Sequence, residues 1–282
     1  MTSDNFHIRT MHPSEVDIAI EWARLEGWNP GIYDGECHYA VDPDGWFIGE
    51  VDDEPVATAV FTNYDSRFSF AGYFIVRHRY RHQTYGQQIW NAGLAHTEGR
   101  TLGGDGVYEM MDKYQKISGF NFAYRNIRWE GVADGKEQEE LVPVGSFPFE
   151  EILAYDTDHF PVSRRKFLEK WISQPESTAL AFPGKDNTIQ GYGMIRRCFT
   201  GHKIGPVFAD TPEIAEKIFQ GLTASIPGEP VFFDTPEPNT DAVAIARRHN
   251  MTEIFGTARM YTGDIPDLPI NNIFGVTTFE LG

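Results

Sequence analysis

The chain has 282 residues, of which 41% are hydrophobic and 23% charged, and its net charge is −17. This composition is globular and excludes general disorder, and no apolar run is long enough to span a membrane. The negative charge is shared by both halves and opposes binding to a nucleic-acid backbone. Two cysteines are too few for a disulfide framework or a cysteine zinc site. We therefore expect a cytoplasmic protein, and its length favours two domains.

The first half of the chain alternates short strands with helices. Apolar alternation and turn residues predict strands at 5–11, 45–51, 56–62, 68–76, 102–107 and 121–129. Helical spacing of apolar residues predicts helices at 13–27, 85–98 and 109–117. The polar, charged stretch that follows predicts a linker at 132–140.

The second half repeats this plan. Helices are predicted at 148–158, 163–173, 212–225 and 239–249, and strands at 178–183, 188–197, 202–208, 231–234, 252–262 and 273–281. Phe120 precedes Arg128 by eight residues, and Met251 precedes Arg259 by the same eight, at an offset of 131 residues. We therefore predict two copies of one α+β unit, over residues 1–131 and 141–282.

The densest basic cluster follows the strand that ends at Val76. Three arginines and two histidines fall within residues 77–82, and a helix begins near Gly86. A strand-to-helix turn directs backbone N–H groups and the positive end of the helix at one point, and arginines add charge-assisted bonds to phosphate oxygens. The pattern favours binding of a pyrophosphate, although an ordinary basic loop is the alternative. The interleaved arginines oppose a metal at His78 and His82.

Residues 81–86, Arg-His-Gln-Thr-Tyr-Gly, resemble the Arg/Gln-x-x-Gly-x-Gly/Ala pyrophosphate loop of the GNAT superfamily of acyl-CoA N-acyltransferases. The order of elements over residues 1–131 is also similar to a GNAT domain, and residues 138–282 resemble a second, divergent one. Thr84 stands where the first glycine of the loop usually lies. The resemblance implies that each unit is a mostly antiparallel twisted sheet flanked by helices, a mixed α/β arrangement of the α+β class.

The same resemblance implies acetyl-CoA, or another acyl-CoA, as the co-substrate, and no metal. The strand ending at Val76 would pair with the pantetheine, the N–H groups of residues 82–86 would hold the pyrophosphate, and Arg81 and Arg77 would neutralise it. The implied cofactor-binding residues are Phe74, Ile75, Val76, Arg77, Arg81, His82, Gln83, Thr84, Tyr85 and Gly86.

Three residues are candidates for the chemistry. Tyr114 matches the family tyrosine that protonates the leaving thiolate, with a spacing to Phe120 that is one residue longer; a core tyrosine is the alternative. Asp105, at the end of the fifth strand, could act as the general base, or could simply bond a turn backbone. Glu109 is a weaker candidate for the base, because an acid in a first helical turn normally compensates the helix dipole.

The acceptor site is predicted from two regions. Trp28, Asn29 and Tyr33 lie in the segment that forms one acceptor wall in related proteins, and Asp234 ends a strand of the second unit. Helix termination, core packing and a polar loop are the alternatives. At the loop position of the second unit, residues 208–216 have no arginine or glycine and carry three acids. We therefore expect the second unit to lack the pyrophosphate site and either to complete the acceptor pocket or to stabilise the first unit.

The resemblance thus implies a tandem acyltransferase that moves an acetyl group to a primary amine of a small molecule by direct attack in a ternary complex. A cationic acceptor suits the acidic surface, and neither a nucleic acid nor a membrane is expected as a partner. The chain could be a monomer or a homodimer. The alternative is a catalytically silent CoA-binding or sensing protein.

Overall fold

The computed structural model describes residues 5–186 and 188–282. The first unit contains β1 (Phe6–Thr10), α1 (Val16–Leu25), α2 (Asp34–Tyr39), β2 (Trp46–Val51), β3 (Glu54–Asn63), β4 (Phe68–Val76), α3 (Tyr85–His96), β5 (Thr101–Gly106), α4 (Met111–Ser118) and β6 (Phe120–Val132). The second contains β7 (Val142–Pro143), α5 (Phe149–Thr157), α6 (Arg165–Trp171), β8 (Ser177–Pro183), β9 (Ile189–Arg197), β10 (His202–Ala209), α7 (Pro212–Ala224), β11 (Pro230–Pro236), α8 (Thr240–Arg248), β12 (Thr252–Thr262) and β13 (Ile273–Gly275).

The predicted class, a mixed α/β fold with a mostly antiparallel sheet flanked by helices, is confirmed. Most predicted elements are present within a few residues of their expected bounds. Two short elements were not predicted: α2, whose Gly35 packs on Val16 and Ile20 of α1, and the two-residue strand β7. The strand predicted at 273–281 was too long, because the chain leaves the sheet after Gly275. These short elements depend on contacts with distant residues, which local periodicity does not report.

The two units exchange strands within one continuous sheet. The order is β1-β2-β3-β4-β5-β12-β6-β11-β10-β9-β8-β7, and β13 pairs with β10. Strand β12 of the second unit therefore lies between β5 and β6 of the first, and β6 pairs in turn with β11 of the second. The predicted boundaries at 131 and 141 divide the sequence, whereas the hydrogen-bonded sheet runs across them.

The exchange is symmetric and supports the predicted repeat. Arg259 of β12 lies opposite Asp105 of β5, and Arg128 of β6 lies opposite Asp234 of β11. The two arginines are the residues that the 131-residue offset made equivalent in the sequence. Because each unit supplies a strand to its partner, neither buries its core alone.

The parallel strands β4 and β5 separate at one end and open a cleft. They pair only between residues 68–71 and 101–104, and β4 bulges beyond this point, where Tyr73 has a φ of 45°. Strands β10 and β11 of the second unit also pair only at their start, from His202 to Ile204. There β13 fills the opening by pairing with Val207 and Phe208 of β10. The first unit therefore keeps an open cleft, whereas the second unit has closed the equivalent one.

No helix in the described part of the chain combines the length and hydropathy that a bilayer crossing requires.

Candidate functional site

A cavity of about 710 Å³ occupies the cleft between β4 and β5. Its lining comes mainly from the loop before α3 and from α3 itself, from both separated strands and from α4. Further lining residues come from the segment after α1, from β6, and from β12 and residues 276–282 of the second unit. Eight of the ten predicted cofactor-binding residues line it: Phe74, Ile75, Val76, Arg81, His82, Gln83, Thr84 and Gly86. The volume is within the range of small-molecule and cofactor sites, about 300–1,000 Å³.

The loop at the mouth of the cavity is shaped by His82 rather than by Thr84. His82 has a φ of 67°, in the left-handed region, whereas Thr84 has ordinary helical angles, φ −79° and ψ −5°. Thr84 therefore occupies its position without strain, and glycine is not required there. Gly86 lies close to β4, since an ideal Cβ on it would be 3.3 Å from Cγ2 of Val76. The first N–H groups of α3 face this point, as at any helix N-terminus.

Arg81 is held at the mouth by two contacts. Its Nε donates to the carbonyl of Val76 at 2.8 Å, and its Nη2 pairs with the Glu26 carboxylate. Both Glu26 and Arg81 line the cavity. The guanidinium is therefore in place for an anionic ligand, but a carboxylate competes for it.

Two of the predicted cofactor-binding residues, Arg77 and Tyr85, do not line the cavity. Arg77 donates to Glu54 at 2.7 Å and lies over the Trp22 ring. Tyr85 is buried with its ring 4.4 Å from that of Phe6. Arg81 is therefore among the described residues that line the cavity, whereas Arg77 and Tyr85 are not.

Tyr114 lines the cavity from α4 despite its unusual spacing. Its ring packs between Trp90 and Phe120, with centroids at 5.4 and 6.2 Å, and lies over Gly106, whose ideal Cβ would be 3.0 Å from it. Burial raises the pKa of Tyr114 to about 12. The hydroxyl therefore stays protonated near neutral pH, as a proton donor requires.

Asp105 also lines the cavity, but its carboxylate is already occupied. Arg259 donates to both of its oxygens, at 2.9 and 2.6 Å, and Asn126 donates to Oδ1 at 2.9 Å. Burial raises the pKa of Asp105, while the Arg259 guanidinium opposes this shift. A carboxylate fixed by a buried bidentate pair is poorly placed to take a proton from an acceptor. The Glu109 side chain lies outside the described residues.

The predicted acceptor residues separate into two groups. Trp28 lines the cavity, and its carbonyl accepts from Nη1 of Arg128. Asn29 instead bonds the backbone of Thr200 twice, at 2.9 and 3.0 Å, and the Tyr33 hydroxyl donates to Glu176 at 2.9 Å.

Asp234 is buried in a bidentate pair with Arg128, and only the arginine reaches the cavity lining that the structure describes. Asn29, Tyr33 and Asp234 thus connect the two units rather than line the cavity.

The lining residues that were not predicted include Arg128, Phe255, Phe279 and Glu280. Arg128 had a sequence signal, its equivalence with Arg259, but that signal indicated a repeat and not a site. The others carry no local motif. They reach the cavity because β12 and residues 276–282 cross into the first unit.

Comparison with known families identifies the same domain type in both halves. The family described as "Acetyltransferase (GNAT) family" matches residues 14–110, and the one described as "Acetyltransferase (GNAT) domain" matches residues 152–275.

The chain is also similar to curated and solved proteins over nearly its whole length. It is 28% identical over 271 residues to the holothin acyltransferase of Pseudoalteromonas sp. (strain SANK 73390), covering 95% of this chain and 92% of that protein. A Pyrococcus horikoshii protein classed as a candidate acetyltransferase has a similar fold, with TM-score 0.84, 22% identity and coverage of 100% and 98%. A tandem GNAT protein from the clavulanic acid biosynthesis pathway matches with TM-score 0.63, 8% identity and coverage of 93% and 100%. At identities this low, the similarity to these two structures shows a shared fold and nothing more.

Proposed function

The chain belongs to the GNAT superfamily of acyltransferases, with two domains of this family in tandem, and we propose that it transfers the acetyl group of acetyl-CoA to a primary amine of a small molecule. The observation that carries this proposal is the cavity of about 710 Å³ between β4 and β5. It has a basic helix N-terminus at its mouth and a buried tyrosine on its wall. An elongated ligand with an anionic end fits this arrangement.

In the proposed mechanism, the acyl-CoA and the amine are bound together and the amine attacks directly. The pyrophosphate lies on the N–H groups at the start of α3 beside Arg81, and the pantetheine follows β4 from Val76 towards Gly72. The amine nitrogen forms a bond to the thioester carbonyl carbon, and the carbon–sulfur bond breaks. Tyr114 gives its proton to the departing thiolate. Positioning of the two reactants supplies much of the rate enhancement.

We assign Asp105 a positioning role in place of the base role that its sequence context suggested. Its ion pair with Arg259 ties β5 to β12 at 2.6 and 2.9 Å, and so keeps the second unit's strand against the wall of the cavity. Only one acyl-CoA is expected per chain. In the second unit Thr211 caps the start of α7 by accepting from the backbone N–H of Ile214, and β13 fills the equivalent cleft.

The acceptor class rests on two observations. The similar Pseudoalteromonas protein is named for acylation of holothin, so holothin is the first acceptor to test. The net charge of −17 favours the approach of cationic amines over anionic ones. A panel should therefore contain holothin, polyamines and simple alkyl amines, with acetyl-CoA and longer acyl-CoAs as donors.

The test is calorimetric titration with acetyl-CoA of the wild type, Gly86→Glu and Gly145→Glu. Position 86 touches β4 at the cavity mouth, whereas Gly145 has nothing within 4 Å of an ideal Cβ and serves as the matched control. We expect one site per chain, abolished by Gly86→Glu alone, and thioester cleavage that depends on an added amine. Absence of binding by the wild type would refute the proposal, and two sites per chain would refute the single-site assignment.

A further inference from the structure

Residues 276–282 extend from the second unit into the first and are fixed there. The Tyr64 hydroxyl donates to the carbonyl of Leu281 at 2.8 Å. An ideal Cβ on Gly72 of β4 would lie 1.6 Å from the carbonyl oxygen of Glu280, so only a glycine lets the segment lie this close to β4. Residue 280 is therefore held directly against the bulged part of β4.

Glu280 has an unused carboxylate oxygen. The residue is 4% exposed and lines the cavity, and its Oε2 has no hydrogen-bond partner among the described residues. Its Oε1 lies 3.9 Å from Nζ of Lys203, beyond hydrogen-bond distance. A buried carboxylate oxygen without a donor is costly, and buried polar groups are normally satisfied. The arrangement therefore favours a ligand that brings an N–H donor.

Asp34, Asp234 and Glu280 form a cluster of buried acids, and Glu280 is the one that no arginine among the described residues binds in a bidentate pair. Asp34 receives two hydrogen bonds from Arg196, at 2.8 and 3.0 Å, and Asp234 receives two from Arg128, both at 2.7 Å. Both carboxylates are thereby satisfied by rigid bidentate pairs. The pair of Glu280 with Lys203 is looser, and the nearby Tyr73 hydroxyl is also buried without a partner among the described residues.

The position of Glu280 matches the reacting end of an acyl-CoA laid along β4. Strands β4 and β5 last pair at Ala71 and Gly104, next to Gly72, which Glu280 touches. From Val76 at the loop to Gly72 is four residues of strand, roughly 13 Å at about 3.3 Å per residue. Phe255 and Phe279 line the cavity as well, so apolar rings and one carboxylate are available to an acceptor.

We propose that Glu280 binds the ammonium group of the acceptor and takes up its proton, so that the second unit completes the active site of the first. This inference rests on the proposed acyl transfer. The ammonium donates to Oε2, one proton passes to the carboxylate, and the neutral amine forms the new carbon–nitrogen bond as the carbon–sulfur bond breaks. A second proton leaves nitrogen as the amide forms and replaces the one that Tyr114 gives to the thiolate, and Glu280 returns its proton to solvent. The acceptor class is a primary amine attached to an apolar body.

The ammonium site can be tested without knowing the acceptor. Two CoA thioethers of equal length serve as probes, S-(3-aminopropyl)-CoA with a terminal ammonium and S-butyl-CoA with a terminal methyl. We expect the wild type to bind the ammonium probe roughly 10- to 100-fold more tightly, as a hydrogen-bonded charge pair implies. Glu280→Gln should abolish this preference while leaving the affinity for S-butyl-CoA unchanged. Glu151→Gln, on the exposed face of α5, is the matched control.

Proton uptake is tested by the pH dependence of kcat/KM with the best amine of the panel. We expect Glu280→Gln to lower kcat about 10²-fold or more and to change the pH dependence of kcat/KM. The charged and titratable groups that face Glu280 are Lys203 of β10, Arg128 of β6, Arg196 of β9 and Tyr73 of β4. Glu280→Asp should retain part of the activity.

The outcomes separate this inference from the proposed function. If the wild type binds neither thioether, the acyl-CoA site itself is wrong. If it binds both equally well, or if Glu280→Gln keeps the preference, the ammonium site is refuted while the acyl-CoA site stands. If the preference depends on Glu280 but Glu280→Gln turns over with an unchanged pH profile, the residue recognises the amine and another group takes the proton. Thermal unfolding of each variant establishes that it is folded.

Discussion

Arg128 of the first unit is bound by Asp234 of the second, and its Nε and Nη2 donate to the two carboxylate oxygens at 2.7 Å each. Arg259 and Asp105 form the reciprocal pair, so each unit gives an arginine to the other. Both pairs lie across exchanged strands, and Arg128 and Asp105 also line the cavity. The cleft between β4 and β5 and the interface between the two units therefore share residues.

Removing one partner of either pair should destabilise the whole protein. For Arg259→Met or Arg128→Met we expect a loss of about 3–5 kcal/mol, because each leaves a buried aspartate unpaired. Arg165→Met, in an exposed pair with Glu150, should change stability by less than about 1 kcal/mol. Denaturant unfolding measures all three. Two separate transitions in the wild type would contradict the interlocked arrangement.

Arg81→Ala should weaken acetyl-CoA binding by about 1–3 kcal/mol, because it removes a charge-assisted contact to phosphate. Glu26→Gln should instead strengthen acetyl-CoA binding. It removes the carboxylate that pairs with Arg81 at the cavity mouth, and we expect a few-fold lower Kd. Calorimetry at two salt concentrations checks both, since the difference between the variants should shrink as salt rises. Equal affinity of all three proteins would remove Arg81 from the pyrophosphate site.

Tyr114→Phe should lower kcat by about 10²-fold or more, with acetyl-CoA affinity unchanged, because only the proton donor is lost. Since burial raises the pKa of Tyr114 to about 12, the wild-type rate should show no loss attributable to this hydroxyl below about pH 10. The control is Tyr155→Phe, whose hydroxyl bonds Asp210 in the second unit. Full activity of Tyr114→Phe would leave the tyrosine as a packing residue.

Gly72→Ala should disrupt the contact between β4 and residues 276–282. The added Cβ would lie 1.6 Å from the carbonyl oxygen of Glu280. Both atoms are attached to the main chain, so neither can move away without a shift of the backbone. We expect a loss of stability of about 1–3 kcal/mol or more and, under the proposed role of Glu280, a loss of amine-dependent turnover. Gly145→Ala meets nothing within 4 Å and should be neutral. Equal melting temperatures for the two variants would show that residues 276–282 do not hold this position.

The contact of Glu216 with His249 should make stability depend on pH. Burial opposes the shift, but hydrogen bonds from His249, Gln220 and Arg248 lower the pKa of Glu216 to about 2, and the bond to Glu216 raises the pKa of His249 above 6.5. The glutamate's contribution is present above pH 4.5 and is lost as pH falls towards its folded pKa. The histidine's is complete below pH 6.5 and is lost as pH rises through its raised pKa.

Between these limits both contributions are complete. We therefore expect Glu216→Gln to lower the free energy of unfolding by about 1–2 kcal/mol near pH 5.5, and by less near pH 9, where the charge of His249 is lost while the contacts of Glu216 with Arg248 and Gln220 remain. Denaturant unfolding at the two pH values measures this. A difference that grows towards pH 9 would contradict the assignment.

The sequence alone predicted the fold class, the repeat and one end of the site. Regular alternation and helical spacing are local properties, so the long strands and helices were found with nearly their true bounds. The loop before α3 could be identified as well, because its cluster of arginines lies within about ten adjacent residues between a strand and a helix. The equivalence of Arg128 and Arg259 was visible as well, as a spacing without a known role.

Only the tertiary structure decided how the two units combine. A strand's own residues do not specify which sheet it joins, so the exchange of β6 and β12 could not be read from either segment. For the same reason Asp105 looked free until Arg259 was placed opposite it. Asn29 and Tyr33 were assigned to the acceptor site by resemblance to related proteins, although their partners lie in the second unit. Glu280 has no motif around it; it lines the cavity because Gly72, more than 200 residues earlier, leaves room for its backbone.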